Sequence, residues 1–91
     1  MDYCVNDEFQ TLVEMQKERV KNDILESYIA IRKKRGITQQ QIADYTGMQR
    51  TNVVRIESGR YLPTIEVLIK LAAALDMDLE VKLVERNREN E

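Results

Sequence analysis

The sequence predicts an all-α bundle of four to five helices closed by one short C-terminal β-strand. Three observations carry this expectation. Apolar residues recur at helical spacing over most of the chain. Three glycines (Gly36, Gly47 and Gly59) and the single proline, Pro63, cut that periodicity into short segments. Residues 79–84, Leu-Glu-Val-Lys-Leu-Val, instead alternate apolar with polar in the main, which is strand periodicity. At 91 residues and 43% hydrophobic content, the chain supports one small core.

The elements follow in order. Residues 7–21 read as a helix: Asn6 suits the N-cap, Asp7 and Glu8 suit the first turn, and Phe9, Leu12, Val13 and Gln16 share a face. At Asn22-Asp23 two readings stand. Either Asp23 and Glu26 form a capping box that starts a new helix, or the first helix runs through. Over residues 23–35, Ile24, Tyr28 and Ile31 recur at i, i+4 and i+7, flanked by Leu25 and Ile29; Gly36 ends the helix and Ile37 packs inward. Thr38-Gln39-Gln40-Gln41 is a capping box opening a two-turn helix in which Ile42 and Tyr45 face inward and Ala43 permits close approach. Gly47 ends it and Met48 is a buried turn residue. Gln49 starts the next helix, anchored by Val53 and Ile56 and stopped by Gly59. Residues 60–63 connect to a last helix, 65–76, capped by Thr64, with Ile65, Leu68, Ala72 and Leu75 as its core stripe. Residues 86–91 are a polar tail.

Composition excludes several classes of function. Histidine is absent and Cys4 is the single cysteine, which removes His-based catalytic dyads and triads and Cys/His zinc sites. Met1, Met15, Met48 and Met77 are too far apart in sequence to suggest a metal site, and no carboxylate pair looks catalytic. The expectation is a non-enzyme without cofactor or metal. One cysteine cannot close an intramolecular disulfide, the first 20 residues carry seven charges, and no apolar run approaches a membrane span, so a cytoplasmic protein is expected. Net charge is −2 but unevenly spread: −4 over residues 1–29, +5 over residues 30–70 and −3 over residues 71–91. A local positive patch binds phosphates even in an acidic chain, because exposed charges more than about 10 Å apart are largely screened. For Arg32-Lys33-Lys34-Arg35 the plainer reading is a set of cations favouring a helix C-terminus. Tyr28 and Tyr45 read as core residues rather than stacking platforms, and Cys4 as a bystander.

The informative constellation is the pair of short helices around Gly47. Val53 and Ile56 anchor the second helix, leaving Arg50, Thr51, Asn52, Val54 and Arg55 pointing elsewhere. Arginine can fork onto guanine and asparagine onto adenine, while threonine and valine can meet a thymine methyl. A face shaped only for solubility more often carries Glu and Lys. The run from Thr38 through Gly59-Arg60, with its Thr-Gln start, Ile42-Ala43, Gly47, Arg55-Ile56-Glu57-Ser58-Gly59 and Pro63-Thr64, resembles the Cro/repressor (XRE-type) helix-turn-helix. The similarity covers about residues 23–76, including Leu68-Ile69-Lys70-Leu71-Ala72 and Ala74-Leu75.

The resemblance implies a lambda-repressor-like helix-turn-helix bundle whose second motif helix, here residues 50–57, enters the major groove of DNA. It implies a DNA-contacting set of Gln39, Gln49, Arg50, Thr51, Asn52, Arg55 and Arg60, with Gln39 and Arg60 suited to phosphate, and a partly buried Arg32–Glu57 ion pair. Thr46 and Met48 depart from common family residues but remain compatible with packing. The chain then divides into an N-terminal helical extension (1–22), a helix-turn-helix DNA-binding domain (23–76), and a short strand with a polar tail (77–91). The leading expectation is a sequence-specific transcriptional regulator, a homodimeric repressor on a double-stranded operator. The domain followed by a short strand also resembles HigA-type antitoxins, whose partner is a small basic toxin, and Phe9, Leu12 and Val13 either pack back on the domain or serve such a partner. A pure protein-interaction module is disfavoured by Gln39, Arg50, Asn52 and Arg55, which it need not keep. A lone strand at 79–84 needs a pairing partner, and a second copy of the same strand is the expected one; in this chain only Tyr3-Cys4-Val5 offers a weak alternative.

Overall fold

Asn22-Asp23 does not interrupt the first helix. In the computed structural model, which describes residues 7–86, a single 28-residue helix, α1 (Asp7–Lys34), runs through that dipeptide for about 42 Å. Its first turn carries Asp7 and Glu8 and its last turn Arg32, Lys33 and Lys34, each sign placed where the helix dipole favours it. Asn6, Cys4 and the Tyr3-Cys4-Val5 segment lie outside the described residues. Three shorter helices follow: α2 (Gln39–Thr46), α3 (Arg50–Glu57) and α4 (Ile65–Ala74). Thr38 caps α2 with both halves of the capping box in place, and Thr64 caps α4 by accepting from the Val67 amide.

The core gathers one stripe from each helix: Leu25 and Tyr28 of α1, Ile42 and Ala43 of α2, Val53 and Ile56 of α3, Leu71 of α4, and Leu75 just after it. Ile42 and Val53 have no exposed surface at all, and burying a side chain of this kind contributes about 1.5–3 kcal/mol. Ala43 lets α2 lie close to its neighbours because it has no bulk to hold them apart. Ile37 and Met48 pack against the cluster from the turns.

Three expectations are corrected. Tyr45 is 64% exposed and lies on the rim of an open groove with Arg35, Ile37 and Lys70, because Ile42 and Ala43 already fill the inner face of α2. Ile65 is 52% exposed: it begins α4, and the buried positions of that helix are Leu68 and Leu71. The C-terminal strand does not form. No strand occurs among the described residues, so within this chain a strand at 79–84 has nothing to exchange backbone hydrogen bonds with. The chain instead turns at Asp76, at φ 60, and the Met77 amide donates back to the Ala72 carbonyl at 2.9 Å. Leu79 is half buried in an apolar crevice beside Ile24, Leu68 and Leu71, whereas Val81, Leu83 and Val84 are exposed.

A buried polar network ties the helices together. Arg32 Nη2 donates to Glu57 Oε1 at 2.8 Å, with the two side chains only 9% and 7% exposed, and Arg32 Nη1 donates to the Ile37 carbonyl at 2.8 Å. Gln39 Nε2 donates to the same Glu57 oxygen at 3.1 Å. The expected ion pair is therefore present, and it joins α1, the turn before α2, α2 itself and the end of α3. Beside it lie three buried atoms without a hydrogen-bond partner: Tyr28 Oη, Arg32 Nε and Glu57 Oε2. Burial first, and then the Glu57 carboxylate, push the Tyr28 phenol well above its ordinary pKa, with Arg32 opposing. Removing one charge of the pair strands the other, so Arg32→Ala is expected to cost about 3–5 kcal/mol in urea unfolding. Tyr28→Phe, which removes a hydroxyl facing the Glu57 carboxylate, is expected to cost no more than about 1.5 kcal/mol.

Candidate nucleic-acid interface

The turn between α2 and α3 is built from its own residues. Gly47 takes φ 77, a conformation that costs an L side chain, and its amide donates to the Ala43 carbonyl at 2.9 Å. Thr46 closes the same turn: its hydroxyl donates to the Ile42 carbonyl at 2.8 Å and accepts from the Met48 amide at 3.2 Å. Thr46 thus has a defined local role. Gln49 is the N-cap of α3 by backbone geometry, but its side chain makes no capping hydrogen bond.

Along α3, Val53 and Ile56 are buried, and Arg50, Thr51, Val54, Arg55 and Ser58 form the opposite, exposed face. Of the expected contact residues, Arg50, Thr51 and Arg55 therefore share one surface. Asn52 sits half buried at its edge, and its side-chain oxygen accepts from Arg55 Nη2 at 3.1 Å. The Arg55 guanidinium also lies over the ring of Tyr61, 5.9 Å from its centroid.

Beside this face an open groove runs between α1, the start of α2 and α3, lined by Lys33, Thr38, Gln39, Gln40, Arg50 and Val54. Gln39 is at its rim but braces Glu57 through its amide nitrogen, which leaves its carbonyl oxygen for other partners. Arg60 lies apart from this groove, exposed and just beyond Gly59. It borders a cleft with Glu14, Lys17, Glu18 and Lys21 of α1, where Glu14 pairs with Lys17 at 3.1 Å and Glu18 with Lys21 at 2.7 Å.

The basic run at the end of α1 divides in two. Arg32 is buried in the ion pair, and Arg35 Nη1 donates to the Leu75 carbonyl at the end of α4. Lys33, Lys34 and Arg35 are exposed. Two residues escaped sequence reasoning. Tyr61 reads as part of a connecting loop, and nothing local marks it as a partner of Arg55. Lys21 has a side chain only 7% exposed; its spacing to Leu25, Tyr28 and Arg32 on one α1 face was the available signal.

This arrangement, two short helices about a tight glycine turn with the second presenting a polar and cationic face, defines a helix-turn-helix protein. The chain belongs to the helix-turn-helix family, whose profile matches residues 29–82, and its motif is of the Cro/repressor (XRE) type. It is 40% identical over 50 residues to the "ImmF control region 10 kDa protein" of Bacillus phage phi105, covering 55% of this chain and 56% of that one. It is 44% identical over 43 residues to the "Cryptic phage CTXphi transcriptional repressor RstR" of Vibrio cholerae, covering 47% of this chain and 38% of the relative. An "Uncharacterized HTH-type transcriptional regulator" of Haemophilus influenzae is 29% identical over 68 residues, 75% of this chain and 69% of the relative. The chain thus spans little more than half the length of the phi105 protein and less of RstR. No solved structure matches this chain.

A left-handed turn residue is a specific liability of this site. Gly47→Ala meets no neighbouring atom, so its cost is conformational alone. It is expected to destabilise the protein by about 1–2 kcal/mol, measured by thermal or urea unfolding.

Proposed function

We propose that this chain is a sequence-specific DNA-binding transcriptional regulator that acts as a repressor, with α3 inserted in the major groove. The observation that carries the reading is the face of α3: Arg50, Thr51, Val54 and Arg55 are exposed together, on a helix whose opposite side is locked into the core by Val53 and Ile56 and whose end is tied down through Glu57. These side chains have the chemistry of base-edge readers. The repressor name of the Vibrio cholerae relative agrees with this reading. In it Arg55, Thr51 and Arg50 meet bases or the groove edge, Asn52 and Gln49 act from the margin of the face, and Gln39 and Arg60 meet phosphates. One such helix covers only a few base pairs, so the active form is a two-fold homodimer whose two copies of α3 lie about 34 Å apart on one DNA face.

A second reading, an antitoxin that neutralises a small basic toxin and autoregulates its own operon, is favoured by one observation. The first turns of α1 carry Leu12, Val13, Met15 and Val20 as exposed apolar side chains on a segment rich in carboxylates. Growth arrest caused by a small basic protein encoded next to this chain, relieved by its co-expression, would favour that role over simple repression.

Selection of bound DNA from a random pool at defined salt tests the main reading, and a palindromic site is the expected result. Arg55→Ala is expected to lose about 1–3 kcal/mol of specific binding with the fold intact. Arg60→Ala is expected to weaken binding to all sequences alike and to lower the salt slope by about 1. Light scattering at micromolar concentration is expected to show a dimer; a monomer both free and on DNA would refute the two-fold arrangement.

A further inference from the structure

We propose that Tyr61 and Asn52 together position Arg55 for base reading, which makes Tyr61, a residue outside the helix-turn-helix, a determinant of sequence specificity. The proposal rests on the DNA-reading function above. Arg55 is held from two directions at once. Asn52, one turn earlier on α3, accepts from Nη2 at 3.1 Å, and the Tyr61 ring lies against the guanidinium at 5.9 Å from its centroid. The two contacts use different parts of the group. The Arg55 Cζ atom sits over the face of the Tyr61 ring, where the ring quadrupole attracts a cation. Asn52 takes one of its five N–H donors. The remaining in-plane donors are enough for a bidentate fork onto the O6 and N7 of guanine.

Tyr61 can serve as a fixed support because its loop is short and seated. Gly59 reverses the chain at φ 76, Pro63 is buried, and Arg60, Tyr61 and Leu62 border α1 at Glu14, Lys17, Glu18 and Lys21. Lys21 is buried there. The tyrosine itself is 39% exposed and lies outside the core cluster, so its loss leaves the bundle's packing in place. An unsupported arginine must give up much of its rotamer freedom on binding; one already oriented gives up less, which sharpens discrimination between bases. The same geometry gives Asn52 a role beyond direct adenine recognition: its oxygen already accepts from Arg55, which leaves one lone pair for a base.

The test uses the full chain and the site it selects from a random DNA pool. Tyr61→Leu is expected to lower affinity for that site about two- to fivefold. It is expected to relax preference at the same base pair that Arg55→Ala relaxes, and to leave binding to unrelated DNA and the salt slope unchanged. Tyr61→Phe, which keeps the ring, is expected to behave as the parent. In an Arg55→Ala background, Tyr61→Leu is expected to add nothing. The proposal is overturned if Tyr61→Leu weakens all DNA equally, if its effect adds in full to that of Arg55→Ala, if it raises specific affinity, or if Tyr61→Phe fails as Tyr61→Leu does. A parent protein that selects no sequence removes the DNA-reading function itself, and the proposal with it. A parent that selects a site whose preferences Tyr61→Leu leaves intact removes the positioning role alone.

Discussion

The Arg32–Glu57 ion pair is the constraint on which the arrangement of the other helices depends. The apolar core that surrounds it is small, and apolar contact is non-directional: Leu25, Ile42, Val53 and Leu71 would tolerate some rotation of one helix against another. The guanidinium does not. One of its terminal nitrogens holds the Ile37 carbonyl and the other holds Glu57, whose same oxygen receives Gln39. The end of α3 is thereby fixed against α1 and α2 by bonds with direction as well as strength. Taking both charges out of water is costly, and a well-packed apolar substitute of similar volume is often no less stable. What such a substitute lacks is directional control over how α3 sits against α1 and α2.

The same network alters how the chain's charge should be understood. Residues 30–70 carry a net +5, a sum in which Arg32 and Glu57 already cancel, so the surplus sits on other side chains. Arg32 is neutralised inside the protein and Arg35 faces the end of α4. Arg50 and Arg55 are exposed cations on the outer face of α3, and Lys33 lines the adjacent groove. Of the basic run at the end of α1, Arg32 thus assembles the fold, while Lys33, Lys34 and Arg35 keep exposed charges that phosphate can meet.

Much of the bundle was legible in the sequence because its signals are local. The Thr38 capping box, the Gly36, Gly47 and Gly59 breaks, and the buried Ile42, Val53 and Ile56 depend on neighbours a few residues away. The Arg32–Glu57 pair spans 25 positions and was reached through family resemblance, since no periodicity links those two residues. What escaped depends on tertiary packing. Tyr45 looked inward by helical spacing, but the inner face of α2 was already filled. Ile65 fitted the apolar stripe of α4, yet it lies at the helix's open end. Asn22-Asp23 had the chemistry of a break, and Asp23 stayed within α1 because the stripe of Lys21, Leu25, Tyr28 and Arg32 continues across it. The alternation at 79–84 was a real pattern, but a strand needs a partner, and no other described segment of this chain is a strand. Tyr61 acquires its meaning only from the position of Arg55.

The length of α1 has a consequence for how this molecule melts. Its C-terminal half is docked, with a buried residue in every turn from Lys21 to Arg32, whereas every residue from 7 to 20 is exposed. A free helix of that size is marginal in water because its nucleation is unfavourable. Here the docked half supplies the nucleus, so the projecting half needs only to propagate, one hydrogen bond for each residue ordered. Amide protection therefore grades along one continuous helix, lowest near Asp7 and approaching that of the whole domain by Lys21. The chain carries two stabilities within a single element of secondary structure, and the boundary between them is a rung of packing rather than a break in the backbone.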